Sequence, residues 1–544
     1  MYRCLARGKT RIVLALVIAT ILAVSGFLTG CGKKINPGDV TLTYWCNLAA
    51  TASGIMTSYT DTEWNRVMFE KTGVKVNFLH PVFGQEKEQL NVMIASGDLT
   101  DMIESAFIQY TGGVVKAHED GLILDITNLQ KKHAPNLMKL YDNYPDLYME
   151  MADEEGRIFQ TPLIKGHDSL RTFQGPALRK DWLKKLNLPE PETIEDWYNV
   201  LTKFKKELKV KVPLLVVLND LRVPGFITAF GITSAYFVED GKVKYGPIDP
   251  RFKDYMKEMA KWYKEGLIYP DFALKKDAKK MDAMIMGDEA GAAILMANSG
   301  ISRYMSLMEN KNPEFFFGAV QYPSLVKGEA PRFLQREGLV NNSGCVAITS
   351  SCEYPELALK YLDYGYSKEG HMLMNFGIEG VSYEIIDGEP KYTDLIMNNP
   401  DGIPRAAISY QYFRVAGPGP YVQDSRKNKQ GRFNEKENVD IWAKFTKEAV
   451  EAKSEVHGIL TADETAATSS KQLEVNTYGD EMFIKFVMGS VDVEKEFDNY
   501  VARMEQMGIK DIIAIKQAAY DRFVKRYPDV NNPKTYSVED IFWK

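Results

Sequence analysis

Thr41-Leu-Thr-Tyr-Trp45, Asp61-Thr-Glu-Trp-Asn-Arg-Val-Met-Phe-Glu-Lys-Thr72, Val74-Lys-Val-Asn-Phe-Leu79, Glu86-Lys-Glu-Gln-Leu-Asn-Val-Met-Ile-Ala95 and Asp101-Met-Ile-Glu104 follow one another with only short connections. The first, third and fifth pieces are short and apolar, as strands are. The second carries Trp64, Val67, Met68 and Phe69 on a largely common helical face and is ended by Gly73. Glu86 to Ala95 has helical character as well. A β-α-β-α-β order requires crossover connections, so the expected fold class is α/β, with a mostly parallel sheet covered by helices.

Downstream, Gly121 to Asp125 is expected as a short strand or turn leading into a helix around Leu129. Pro162 to Gly175 shows little periodicity and is expected to cross between two lobes. A helix from Arg179 to Leu186 precedes the turn at Pro189 and Pro191. Thr193 then caps a strong helix, with Asp196 three positions on as an acidic variant of the capping box. Val212 to Leu218 is continuously apolar, as for a strand covered on both faces. Phe252 to Glu265 is an amphipathic helix stopped by Gly266, and Ala290 to Met296, Phe315 to Gln321 and Gly344 to Thr349 are expected strands. Tyr354 to Tyr364 is expected to be helical. From Glu435 onward the chain is expected to be mainly helical, with an apolar face at Ile484, Val487 and Met488. Trp182, Trp197 and Trp262 lie on helix patterns and are assigned to the core.

At the other end, Arg3, Arg7, Lys9 and Arg11 precede an apolar run from Ile12 to Leu28, closed by Leu28-Thr29-Gly30-Cys31. A basic start, a short apolar stretch and small residues before a cut describe a signal peptide. The four closing residues resemble a bacterial lipobox, whose cysteine takes the lipid. Residues 1–31 are therefore expected to be removed up to Cys31, which anchors the mature chain to the outer face of the cell membrane, and residues 32–39 form a polar tether.

The 544-residue chain leaves too much after Cys31 for a single compact core, so at least two domains are expected. With 45% hydrophobic and 26% charged residues it is globular, and its net charge of −6 gives no electrostatic reason to bind nucleic acid. Of five cysteines, Cys4 leaves with the signal peptide and Cys31 carries lipid. Cys46, Cys345 and Cys352 remain. Cys345 and Cys352 pair or stay as buried thiols, and their spacing fits no metal motif.

Four local patterns resemble the bacterial extracellular solute-binding proteins of ABC transporters, the sugar-binding family that includes maltose-binding protein, and within it the long LipO-like or aldouronate-type lipoproteins. The most specific is Leu178-Arg-Lys-Asp-Trp-Leu-Lys-Lys-Leu-Asn-Leu-Pro-Glu-Pro-Glu-Thr-Ile-Glu-Asp-Trp-Tyr198, where that subgroup enters its second lobe. Lys261-Trp-Tyr-Lys-Glu-Gly-Leu267 is similar to a lobe-two helix end. Gly377-Ile-Glu-Gly-Val-Ser-Tyr383 with Thr393-Asp-Leu395 is similar to a return segment. Phe486-Val-Met-Gly489 with Gln517-Ala-Ala-Tyr520 and Arg522 is similar to the C-terminal helical region. Asn187 stands where a glycine is usual, and asparagine tolerates the left-handed backbone well. Cys46, beside the expected ligand mouth, is a second departure.

The resemblance implies a two-lobe, periplasmic-binding-protein-like (type II) fold with ligand in the interlobe cleft and closure on binding. The expected lobes are 40–170 with 328–385, and 171–327 with 386–544. It further implies capture of an oligosaccharide, delivery to the membrane permease subunits of an ABC importer, a monomer, no cofactor and no contact with the membrane beyond the lipid. Ligands of open α/β sheets sit beyond the carboxyl ends of strands. That rule selects Trp45, Asn47, Phe107 and Tyr110 in the first lobe, and Asn219, Asp220, Phe226 and Asn298 in the second. Packing or turn chemistry is the alternative role for each. Arg171, on the expected crossing, suits either a clamp on an acidic sugar or an interlobe salt bridge. Tyr412, with Tyr410 and Phe413, is placed as an aromatic rim before Gly417-Pro-Gly-Pro420 or as core packing.

A secreted carbohydrate-active hydrolase or lyase is the alternative function, and a lipoprotein presenting a surface to another protein is a third. Against catalysis, the strands lack eight regular β/α units, and neither a Gly-x-Ser-x-Gly elbow nor a Walker loop occurs. The six histidines include no His-Glu-x-x-His pair. Asp153-Glu-Glu155 and Asp463-Glu464 lack the spacing of a calcium loop, so no metal site is expected.

Overall fold

The computed structural model describes residues 37–542 except 106, 108–109, 276, 416–418, 431–434, 447, 449, 452–457, 459 and 528–536. The signal peptide, Cys31 and residues 32–36 of the tether lie outside the described residues. Ten strands make the two main sheets: β1 (Thr41–Trp45), β2 (Lys75–Leu79), β3 (Met102–Glu104), β4 (Gln160–Lys165), β5 (Gln174–Arg179), β6 (Val212–Leu215), β7 (Ala290–Met296), β8 (Phe317–Ala319), β9 (Val340–Ile348) and β10 (Val422–Gln423). The first sheet runs β10-β4-β9-β3-β1-β2 and the second β8-β5-β7-β6.

The opening β-α-β-α-β reading holds. β1 pairs parallel with both β2 and β3, and helices Glu63–Thr72 and Glu86–Ser96 make the crossovers. The first of these helices begins at Thr62, whose side chain accepts from the Asn65 N–H, and ends at Gly73 in the left-handed region. Its buried face is Trp64, Asn65, Met68 and Thr72, whereas Phe69 stays exposed, so the expected apolar face was rotated by one position. The sheets are mixed: β9 is antiparallel to both β3 and β4, and β5 is antiparallel to both β7 and β8.

The expected lobe crossing from Pro162 begins later, because Gln160–Lys165 is a fully buried strand. A proline is tolerated there because Pro162 falls opposite the register shift between Asn341 and Val346 of β9, where no ladder hydrogen bond is needed from it. The crossing itself is 166–173. The strand expected from Val212 to Leu218 stops at Leu215, since Leu218–Arg222 turns into a short helix. Thr193 caps helix Ile194–Glu207 and Asp196 returns the bond, completing the expected box. Asn187 adopts φ 51°, the left-handed backbone foreseen for it.

Each sheet is buried on both faces. Leu42, Met68, Leu137, Val346 and Tyr366 are among the residues covering one face of the first sheet, and Ile103, Phe107 and Phe159 the other. In the second lobe Trp197, Phe226, Trp262 and Phe483 build one core, and Ala177, Leu215, Phe317 and Trp442 the opposite one. At Gly175 any side chain would collide with the Trp442 indole, whose N–H donates to the Pro176 carbonyl at 2.9 Å. In the C-terminal helix Ala462–Val487, Val487 is buried but the following Met488 is exposed, trimming the expected apolar face.

The division expected at 385/386 is corrected by the sheet. β10 pairs with β4, and Tyr421, Val422, Val538 and Phe542 pack in the first core. Segments within 386–427 and the last described residues therefore return to the first lobe, whereas Phe333 and Leu334 remain in the second-lobe cores, and the passages between lobes include 166–173 and 335–339. Cys46, Cys345 and Cys352 are all buried and none of them forms a disulfide, so Cys345 and Cys352 do not pair.

Candidate functional site

β1 and β3 end side by side, with Trp45 opposite Ile103, so the loops that follow leave the sheet at the same end. A pocket of about 310 Å3 lies there, lined by Trp45, Asn47, Glu86, Lys87, Asn91, Glu104 and Tyr110 among others. Three of the residues expected from sequence thus come together. Asn47 is exposed, Tyr110 half-buried, and Trp45 is buried in a cluster with Leu90, Ile103 and Phe107. Tyr110 donates to Asp120 at 2.7 Å, and burial together with that carboxylate pushes its phenol up to about 12.

Beneath this pocket sits a group that sequence reasoning missed. Glu104, 2% exposed, accepts from Arg414 Nη2 at 3.0 and 2.9 Å and from the Tyr44 hydroxyl at 2.6 Å. Arg414 in turn lies over the rings of Tyr59 and Trp64, at 5.4 and 5.5 Å. Burial pushes the Glu104 carboxyl up; Arg414 and Tyr44 pull it down without cancelling the rise. The only signal in the sequence was a charged residue closing an apolar strand, and nothing marked its partner far along the chain.

A second cavity, of about 720 Å3, is walled by both lobes. Phe107, Val115, Met151, Glu154, Gln160 and Asn342 come from the first, and Leu460, Thr465, Lys516, Arg522, Phe523 and Lys525 from the C-terminal helices. Arg522 spans it: the guanidinium holds Glu464 through two bonds of 2.8 and 2.7 Å and reaches Glu154 of the first lobe. Arg526 donates to the Asp153 carbonyl at 3.0 Å. Of the residues expected from sequence only Phe107 borders this cavity. Arg522 stood in one of the family-like patterns without being singled out as a contact.

The remaining expected residues divide. Asn219 and Asn298 are exposed beyond the ends of β6 and β7. Asp220 is instead buried and accepts from the Val217 N–H at 3.0 Å, capping its own short helix. Phe226, 1% exposed, is wedged edge-on between Trp197 and Trp262, with centroids at 5.0 and 5.5 Å, and is core. Tyr412 is half-buried beside a cluster that includes Phe376, Tyr392 and Phe413, while Tyr410 stacks on Tyr59 at 6.0 Å. The aromatic group is packing of the first lobe, not an open rim.

Arg171 is 3% exposed and belongs to the passages. It donates to the Glu337 carbonyl at 2.5 Å and pairs with Asp168 at 3.3 Å, which also binds Arg336 at 3.0 Å. Burial, with Arg336 close by, lowers its pKa to about 10. The guanidinium ties two passages together through the Glu337 carbonyl, while its ion pair with Asp168 stays within its own passage and is not an interlobe salt bridge. The acidic runs are likewise engaged, Asp153 with Arg157 and Glu154 with Arg522. Among the described residues no group of three His, Cys, Asp or Glu side chains is arranged to hold a metal, and no helix is long and apolar enough to cross a membrane.

Comparison with known proteins agrees with this architecture. The chain is similar to Lipoprotein LipO of Bacillus subtilis, 26% identical over 79% of this chain and 84% of the relative. It is also similar to the fructooligosaccharide ABC transporter substrate-binding protein FusA of Streptococcus pneumoniae, 23% identical over 84% of this chain and 86% of that one. The solved structure of alginate-binding protein AlgQ2 without calcium ion superposes with a TM-score of 0.72 at 23% identity, covering 88% of this chain and 98% of the other. Residues 51–372 match the model of the bacterial extracellular solute-binding proteins, and with both sheets and the interlobe cavity in place the chain belongs to that family.

Proposed function

We propose that this protein captures an oligosaccharide between its two lobes and delivers it, unaltered, to the permease of an ABC importer, while lipid on Cys31 holds it at the outer face of the cell membrane. The observation that carries this is the 720 Å3 cavity walled by both lobes, with apolar surface from Phe107, Val115 and Met151 beside the polar Gln160, Asn342 and Lys525. A sugar needs both kinds of wall: its C–H faces pack on apolar groups and its hydroxyls exchange hydrogen bonds with amides and charged side chains. Relatives that bind fructooligosaccharide and alginate support the ligand class. Because one guanidinium, Arg522, touches both lobes, ligand in the cavity bears directly on their separation.

The test is a thermal-shift and calorimetry panel of neutral and acidic oligosaccharides on the mature chain. One class should stabilise it by about 2.7 kcal/mol at a hundred times Kd. The recovered sugar should be chemically unchanged, and small-angle scattering should show a smaller radius with ligand. No stabilisation by any sugar, or release of a cleaved product, would refute the proposal. Incorporation of labelled palmitate that disappears in Cys31→Ser tests the anchor separately.

A further inference from the structure

The last described residues close on the first lobe, although the helix Ile509–Arg526 before them packs in the second-lobe core through Ile512 and Tyr520. Val538–Phe542 is a short 3-10 helix with Val538, Glu539 and Phe542 buried. Its partners are the roots of two connections between the lobes. Glu539 N–H donates to the Gly166 carbonyl at 3.1 Å and Ser537 bridges antiparallel to His167, where β4 gives way to the passage 166–173. The Glu539 carboxyl accepts from the N–H and the hydroxyl of Ser425 at 2.7 and 2.5 Å. Ser425 lies just past β10, on the way to the second-lobe helix Glu435–Trp442. At the far end Phe542 lies flat on His371, with ring centroids 4.1 Å apart, and His371 is bonded to Asp424 at 2.9 Å.

The two roots are packed without slack. β4 and β10 run parallel, and a Cβ on Gly166 would come within 2.0 Å of the Gln423 carbonyl oxygen. Gly166 is buried, so its carbonyl needs a donor from the protein, and the tail supplies it. One short segment therefore pins both roots in a single relative position. We propose that Ser537–Phe542 is a strap across the hinge, which fixes how the two connections leave the first lobe and so holds the lobes at the separation that walls the cavity from both sides. This rests on the two-lobe capture proposed above and adds its regulation. With the strap undocked, other separations compete, and the apparent affinity for a sugar falls with the fraction of molecules that remain competent to bind.

Spin labels at Lys132→Cys in the first lobe and Lys206→Cys in the second, both exposed positions, read the lobe separation on the sugar-free mature chain carrying Cys31→Ser. The other cysteines are buried and escape the label. Glu539→Ala, Phe542→Ala and a chain ending at Thr535 should each broaden the distance distribution and move its mean by more than about 2 Å. Hydrogen exchange of peptides spanning 166–173 should quicken about ten-fold in the same variants. Glu539→Gln, which still accepts from Ser425, should keep the wild-type distances. Ile123→Ala opens a cavity on the face of the first sheet opposite the tail, and should lower stability while leaving the distances alone. Wild-type distances in both alanine variants of the tail overturn the strap, whether or not the shortened chain folds. Equal broadening in Ile123→Ala overturns it as well, because lost stability alone then explains the effect. No sugar takes part in these readings, so the strap can fail while oligosaccharide capture stands, and capture can fail while the strap stands.

Discussion

Replacing Arg414 by methionine removes the cation that bonds to Glu104 while keeping most of the apolar stem that packs around it. Both groups are buried, Glu104 at 2% and Arg414 at 8% exposure, so water makes up only part of the carboxylate's lost hydrogen bonding. Breaking one side of such a pair costs about 3–5 kcal/mol, and the lost ring contacts with Tyr59 and Trp64 add roughly 1 kcal/mol. Hydrogen exchange read on peptides spanning 41–46 and 102–105 reports opening of the first sheet without requiring the whole chain to unfold in one step. Protection there should fall by a factor between roughly one thousand and twenty thousand. The loss should shrink in acid. Without Arg414 the Glu104 carboxyl rises further, so above about 4.5 the folded state still holds a proton that the unfolded chain has released, and stability falls as pH climbs through that window. Glu104→Gln in the same background, which still accepts from Tyr44, should recover most of the protection at neutral pH. Protection in Arg414→Met within ten-fold of wild type, or a double variant no better than the single one, would refute the reasoning.

Phe226→Ala should destabilise the second lobe by about 3–5 kcal/mol, because the ring fills the space between Trp197 and Trp262, and urea unfolding would measure it. Thr193→Ala should cost about 1 kcal/mol by opening the first turn of helix Ile194–Glu207, visible in the same titration. Glu539 is bonded by the Ser425 N–H and hydroxyl at 2.7 and 2.5 Å, and burial, with Asp424 near it, pushes its carboxyl up to about 7. Between about 4.5 and 7 the folded chain thus keeps a proton the unfolded chain has lost, and this group's contribution to stability falls as pH rises. Neighbouring Asp424, held low in the folded state, is ionised in both states across that window, so Glu539→Gln should match wild type near pH 5 and melt higher near pH 7.5. A difference in melting temperature that does not change with pH counts against the linkage.

What the sequence determined by itself was local. Alternation and crossover order announced the α/β sheet from Thr41 to Glu104, Thr193 and Asp196 announced their capping box, and the spacing of Trp197 and Trp262 announced a core face. These signals survive because a helix face, a cap or a strand is specified by residues within a few positions of one another. The loops after β1 and β3 followed from the same logic, since strand ends fix where a loop emerges, and Asn47 and Tyr110 line a pocket there.

Only the tertiary structure decided the rest. A two-residue strand at Val422–Gln423 has no periodicity to read, yet its pairing with β4 moves the lobe boundary. Asp220 and Phe226 occupy the right loop, but whether a side chain there points to solvent or inward depends on neighbours from Val217, Trp197 and Trp262. Glu104 meets Arg414, and Glu154 meets Arg522, across hundreds of residues. Such contacts exist because the folded chain brings distant charges into a space that excludes water, and no pattern along the chain encodes that proximity.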